Sequence, residues 1–270
     1  DVPLVGGVTE TAQALLPLLR GNSSSAFLDK ALKHYAKTRK DLDQLATPGR
    51  GRVHPQYVAR LLDELADDDV VFLPDVGSPV IWASRYLTMN GRRRIIGSLS
   101  HGSMANAVTQ AVGAQAVDPT RQVVAMAGDG GLAMMLGELL SFVQNDLPVK
   151  TLVFDNDSLN FVELEMMAAG FVPYGTSLEN PDFAAIAEAI GIKGFRADHT
   201  TDLPAVMREF LAHDGPALLV VKTERQELTI PPSIEFEQAK GFALYAMRTV
   251  LDGKGTKLLD LAKANLRQLF

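Results

Sequence analysis

Short apolar runs alternate with segments of helical period along most of this chain. The pattern is sharpest between Gln122 and Glu165. Val123–Ala127 is a continuous apolar run that ends in Gly128-Asp129-Gly130-Gly131. An apolar-periodic segment from Leu132 to about Gln144 follows, stopped by Leu147-Pro148. A second run, Thr151–Phe154, then ends in Asp155-Asn156. Strand, helix, strand is the order this predicts. A parallel, right-handed βαβ unit sets the carboxyl ends of its two strands side by side. Asp129 and Asn156, distant in sequence, therefore converge at the edge where open α/β sheets bind ligands.

The same alternation extends in both directions. Upstream it predicts helix 55–65, strand 70–73, helix 80–87, strand 94–97 and helix 104–116. Downstream it predicts helices 161–168 and 183–190, strand 194–197, helix 203–212 and strand 217–221. The fold class is α/β, a doubly wound, mostly parallel sheet spanning residues 52–228. Residues 1–20 read as a short strand, VPLVGGV, and an apolar-faced helix, TAQALLPLL, the end of a domain whose body lies elsewhere. Residues 21–51 read as a linker carrying a charged helix from Phe27 to about Leu45. After Pro231-Pro232 a helical tail occupies residues 229–270, with helices expected at 234–251 and 257–269. In the last of these, Leu258, Leu261, Ala262, Leu266 and Leu269 form an apolar stripe beside Lys257, Lys263 and Arg267. That arrangement suits either a membrane interface or packing on the rest of the protein.

Composition narrows the partners. A net charge of −6 disfavours nucleic acid. The absence of cysteine excludes disulfides, iron–sulfur clusters and thiol catalysis. No apolar run is long enough to span a bilayer and no signal peptide is evident, so a cytoplasmic protein is expected. The chain does not start with Met, which fits a piece of a longer protein.

The chemistry expected at the strand ends is a hard cation holding a diphosphate. Mg²⁺ takes near-octahedral oxygen ligands, typically one or two from protein with the rest from phosphate and water. Asp129 offers a carboxylate, Asn156 an amide oxygen, and a backbone carbonyl just after it, that of Ser158, a third ligand. Gly130 and Gly131 allow close approach of the backbone to the phosphates. GDG alone is equally an Asp-Gly turn. The second polar strand end, in this topology, is what favours the cofactor site.

GDGG followed some two dozen residues later by DN resembles the thiamine-diphosphate signature, GDG and then NN. Asp155 stands where the first Asn is usual, and the metal-binding Asn is retained as Asn156. HPQY at 54–57, PDVGSPVIWASRYLTMNGRRR at 74–94, GSLSHGSMANAVTQAVGAQA at 97–116 and IPPSIEFEQAKGFALY at 230–245 narrow the likeness. Together they resemble the carboxyl-terminal half of the bacterial pyruvate:quinone oxidoreductases, the flavin-dependent pyruvate oxidases. The resemblance implies thiamine diphosphate, Mg²⁺ and FAD as cofactors, with most of the FAD held by a central domain ending at about residue 20. It implies conversion of pyruvate to acetate and CO₂, with electrons passed to a quinone, and a homodimer or homotetramer. The tail would bind lipid on the cytoplasmic face of the inner membrane. This piece alone would be inactive, because it lacks the pyrimidine-binding domain.

Individual roles follow from the same resemblance. Gly77 and Ser78 would touch the diphosphate. Gly102 and Ser103 would lie beside the aminopyrimidine, with Met104 as the wedge that bends the cofactor. Asn160 and Phe161 would flank the diphosphate, Phe161 lying between thiamine and flavin, and Glu165 would line the substrate pocket. Without the resemblance Met104 and Phe161 read as core and Glu165 as an exposed helix-face acid. His101, by its own place just before a helix N-terminus, reads either as a pocket acid or base or as a cap-region residue. The other histidines, His54 among them, read as surface or packing residues. Two further functions fit the residues: an acetolactate synthase or 2-oxoacid decarboxylase, and a non-catalytic, membrane-associated regulatory domain.

Overall fold

A computed structural model describes residues 3–21, 24–49, 52–225, 227, 236–253 and 255–265. It divides into two compact units, Asp1–Asp41 and Leu42–Phe270. In the first, helix α1 (Val8–Leu15) runs into a short 3-10 turn, Leu16–Leu18, and helix α2 (Ala26–Leu45) begins. Neither helix buries a residue. The strand expected over VPLVGGV is not formed in its described part: residues 3–7 are unpaired and Leu4 and Val5 are exposed. A lone strand has no edge to complete its hydrogen bonds, so its β propensity goes unused.

The second unit holds a sheet of six parallel strands, as the alternation predicts. The strands are β1 (Val71–Pro74), β2 (Arg94–Ile95), β3 (Val123–Gly128), β4 (Lys150–Asp155), β5 (Lys193–Ala197) and β6 (Ala217–Lys222). Their order is β2-β1-β3-β4-β6-β5, with every pair parallel. The helices between them are α3 (Pro55–Leu65), α4 (Ser78–Tyr86), α5 (Asn106–Val117), α6 (Asp129–Met134), α7 (Leu139–Gln144), α8 (Asn160–Ala168), α9 (Phe183–Ala189) and α10 (Leu203–Ala212).

Both faces of the sheet are covered, which is why β3, β4 and β6 read as nearly unbroken apolar runs. Phe72, Val124, Met126, Leu152, Phe154 and Leu219 turn to one side and pack with Leu62, Trp82 and Phe210 of α3, α4 and α10. The intervening residues Val71, Leu73, Ala125, Val153 and Val220 turn the other way, onto Ala107, Phe142 and Phe183 of α5, α7 and α9. Two expected elements are shorter than their patterns. The helix from Leu132 to Gln144 is broken at Met135, whose φ of −124° and ψ of 32° leave the helical region. Gly137, a weak helix former, follows it. Strand β2 closes after two residues at the sheet edge, though the Ile96 N–H still donates to Phe72 O at 3.0 Å.

Beyond the sheet, helix α11 (Phe236–Leu251) docks on α8, and α12 (Thr256–Asn265) packs on α11. Leu258 and Leu261, two members of the predicted amphipathic stripe, pack with Met167 and Tyr245 rather than facing outward. Leu266, Leu269, Arg267 and the segment 230–235 lie outside the described residues.

Candidate functional site

The direction of winding reverses between β1 and β3. From β1 the chain crosses to β2 on one side, and from β3 it crosses to β4 on the other. A crevice opens at the carboxyl ends of strands at such a reversal. The first turn, Asp75 to Ser78, enters it from β1. Gly77 there has φ +125°, a region that side chains with a Cβ avoid. Across the gap β3 delivers Asp129 directly into α6, and β4 delivers Asp155 and Asn156.

The structure brings Asp129 and Asn156 together, as the βαβ pattern requires. The Asn156 N–H donates to Asp129 Oδ2 at 3.1 Å, and the Gly130 N–H to Asp129 Oδ1 at 2.8 Å. The chain then turns through Asp157 at φ 57°. The Ser158 N–H donates to Asn156 Oδ1 at 3.0 Å. Ser158 also pairs with Ser177 in an isolated antiparallel bridge, flanked by Leu159 N–H to Thr176 O and Leu178 N–H to Asp157 O. Those flanking bonds make it a non-hydrogen-bonded pair, so the Ser158 carbonyl faces the opposite edge, on the side of Asn156.

Around this corner lies a cavity of about 350 Å³. Of the residues expected at a cofactor site, Gly77, Ser78, Gly102, Met104, Asp129, Gly130, Gly131, Asn156, Ser158, Asn160 and Phe161 line it. Ser78 Oγ donates to Asn160 Oδ1 at 2.9 Å, and Asn160 Nδ2 to the Arg225 carbonyl at 2.7 Å, so one amide ties the β1 turn to the start of α8. Two glycines keep the floor open. A Cβ on Gly130 would lie 2.7 Å from Leu159 Cδ2, and one on Gly131 would overlap Asp75 Oδ2.

Three expected residues stand elsewhere. His101 is exposed and does not line the cavity, and Ser103 turns its N–H to Ser98 Oγ at 3.2 Å. Glu165 is also exposed, in a separate depression between α8 and α11 beside Lys240 and Gly241. Glu165 shares a helical face with Phe161, four positions earlier, but lies a turn, about 6 Å, further along α8 and so falls beyond the cavity.

Several residues at the site carry no assignment from sequence. Asp75 is buried and accepts from the Ala107 N–H at 2.8 Å and the Gly128 N–H at 3.3 Å, clamping β1, β3 and α5 together. Its signal was present, since it ends an apolar run just as Asp129 does. Asn180, from the loop before α9, donates through Nδ2 to Asp129 Oδ2 and to Asp155 Oδ1, each at 2.8 Å. Lys222 Nζ reaches Asp155 Oδ2 at 2.7 Å and Asp157 Oδ1 at 2.9 Å. Nothing local marks Asn180 or Lys222; only the tertiary fold brings them here. His54, expected to be a surface or packing residue, is buried with Nδ1 2.7 Å from Glu227 Oε2, and Glu227 lines the cavity.

Burial dominates the electrostatics. It pushes the Asp129 carboxyl up to about 6, against the hydrogen bonds from Asn180, Gly130 and Asn156, and the charge of Asp155 adds to the rise. Asp75 is likewise pushed up to about 6 by burial, against its bonds from backbone N–H groups. Burial works against the Lys222 ammonium, yet its bonds with Asp155 and Asp157 outweigh that and raise its pKa. Burial disfavours the charge on this carboxylate, and a divalent cation would stabilise it. With Asp129, the Asn156 amide oxygen and the Ser158 carbonyl as an all-oxygen set, the corner fits Mg²⁺. Among the described residues no group of three His, Cys, Asp or Glu side chains forms an alternative metal centre.

A parallel, doubly wound sheet with an Asp–Asn oxygen corner and a glycine-floored cavity defines a diphosphate-binding α/β domain. Residues 75–221 match the family described as thiamine pyrophosphate enzyme, C-terminal TPP binding domain, and the chain belongs to that family. It is 31% identical over 244 residues to the Bacillus subtilis (strain 168) protein YdaP, whose name describes it as thiamine pyrophosphate-containing. That match covers 90% of this chain and 42% of YdaP. It is 33% identical over 189 residues to the mitochondrial acetolactate synthase catalytic subunit of Saccharomyces cerevisiae, covering 68% of this chain and 27% of that protein. It is 26% identical over 235 residues to the catabolic acetolactate synthase of Raoultella terrigena, covering 84% and 41%. The chain thus spans less than half the length of these relatives.

Proposed function

We propose that this chain supplies the magnesium- and diphosphate-binding half of a thiamine-diphosphate enzyme that decarboxylates a 2-oxo acid such as pyruvate and joins the product to a second 2-oxo acid. The observation that carries the reading is the meeting of Asp129 and Asn156 at 3.1 Å beside a glycine-floored cavity. The names of two of the relatives above favour an acetolactate-type product over oxidation. Asp129, Asn156 and the Ser158 carbonyl would hold Mg²⁺. Gly77 and Ser78 would meet the diphosphate, with Ser78 oriented by Asn160. Met104, whose Cε lies near Gly130, would support the ring system above the cavity floor. Bound there, the cofactor acts as the electron sink for decarboxylation. The protein's part is to fix the cofactor's position and keep the apolar wall of Phe154, Val162 and Phe161 around the reacting end.

A second reading, oxidation of pyruvate with FAD and quinone at a membrane surface, rests on the motifs at 54–57, 74–94, 97–116 and 230–245. No described helix is long and apolar enough to cross a membrane, so lipid contact would be peripheral, through α12 and the residues after it. A product assay on the intact gene product separates the two. Pyruvate with Mg²⁺ and thiamine diphosphate should give acetolactate without any electron acceptor. Acetate formed only when FAD and a quinone analogue are added would overturn the first reading in favour of the second. Release of CO₂ under neither condition would remove both.

A further inference from the structure

Asp155 stands next to the metal ligand Asn156 and 2 % exposed, a second buried acid at the corner where Asp129 is expected to hold the cation. Two carboxylates so close to one cation site would ordinarily compete for it. Each oxygen of Asp155 is already engaged. Oδ2 meets Lys222 Nζ at 2.7 Å and Oδ1 accepts from Asn180 Nδ2 at 2.8 Å. The same Asn180 amide nitrogen donates to Asp129 Oδ2, which also takes the Asn156 N–H. Among the described residues Asp129 Oδ1 receives only the Gly130 N–H, so it keeps a lone pair in reserve.

From this accounting we infer that Lys222 and Asn180 hold Asp155 out of the coordination sphere, leaving Asp129 the sole carboxylate ligand and making metal capture depend on the diphosphate. The inference rests on the cofactor reading above. One carboxylate and neutral oxygens bind a hard divalent cation weakly, because the charge is insufficient to replace its water. The diphosphate supplies the missing negative charge. Freed from Lys222, Asp155 would turn the corner into a two-carboxylate site that takes metal without cofactor. Lys222 and Asn180 are positioning residues here, acting through the carboxylates they hold.

The test is a titration of Mn²⁺ into the intact gene product, following the signal of the free hexaaquo ion by electron paramagnetic resonance, with and without thiamine diphosphate. The wild type should take up Mn²⁺ only with the cofactor. Lys222→Met should bind Mn²⁺ without it, roughly tenfold or more tightly than the upper limit that the wild type sets under that condition. The double variant Asp155→Asn/Lys222→Met should return to cofactor-dependent uptake, and Asp155→Asn alone should bind with cofactor within a few-fold of wild type. Cofactor-free uptake that is absent in Lys222→Met, or that persists in the double variant, overturns the inference. Should Lys222→Met fail to fold, the Asp155→Asn variant decides, since loss of its cofactor-dependent uptake would make Asp155 a ligand. No uptake by the wild type with cofactor present would instead remove the cofactor reading itself, and this inference with it.

Discussion

At the scale of single residues the site is built from buried polar groups held by backbone N–H groups and by one another's side chains. Asp75 is the plainest example, because its carboxyl is raised from an ordinary 3.8 to about 6 by burial. The folded chain therefore holds that proton more tightly than the unfolded chain between about pH 4 and 6. Raising the pH through that window strips it and lowers stability. The shift corresponds to about 3 kcal/mol. Asp75→Asn removes this loss while keeping an acceptor for the Ala107 N–H. Urea denaturation at pH 4.5 and pH 7 should then show wild type losing about 2 kcal/mol more than the variant on going to neutral pH, because pH 4.5 already lies above the ordinary 3.8. Equal losses would show that Asp75 is not the titrating group. Gly131 belongs to the same contact. Its Cβ would overlap Asp75 Oδ2 and lie 3.3 Å from the Ala105 nitrogen, so Gly131→Ala should cost about 1–3 kcal/mol by thermal denaturation. How legible such residues were depended on their surroundings. Asp129 and Asn156 could be read because each ends an apolar run. Asp75 ends one too, but the Gly77-Ser78 turn two residues on carries the more direct signal for phosphate. Asn180 sits in a loop with no periodicity and Lys222 at the last residue of β6, where a lysine usually signals only solvent.

At the scale of elements the alternation of short apolar runs and helical periods was enough to give six parallel strands and their helices, because both faces of the sheet are buried and leave a continuous apolar text. It was insufficient where tertiary context decides. The segment 129–144 has one helical period but folds as two helices around Met135. VPLVGGV has strand composition but no neighbour to pair with. The tail shows the ambiguity of amphipathic helices. Leu258 and Leu261 pack against Met167 and Tyr245, while Gly241 presses so closely on the Ala168 carbonyl that a Cβ there would overlap it. Gly241→Ala should loosen α11 from α8, at a cost of about 1–3 kcal/mol. Hydrogen exchange would then speed up across residues 236–251 and 160–168, with β3 and β4 unchanged. Unaltered protection in α8 would show that the docking of α11 does not depend on this close approach.

At the scale of the whole molecule the two units have different standing. Helices α1 and α2 have no fully buried residue, whereas the larger unit has a core on both sides of its sheet. Deleting residues 1–41 should leave the thermal midpoint of the larger unit within a few degrees of its value in the whole chain. A drop large enough to abolish the transition would contradict the division. The cavity, the metal corner and the α8 scaffold all belong to the larger unit, so the central claim, that this sheet edge binds magnesium and diphosphate, can be tested there. The most direct measurement is calorimetric titration of thiamine diphosphate into the intact gene product, with Mg²⁺ and with EDTA, for the wild type and for Asp129→Ala. Binding should require Mg²⁺ and disappear in the variant. Binding of equal strength in Asp129→Ala, or binding indifferent to Mg²⁺, would contradict that claim.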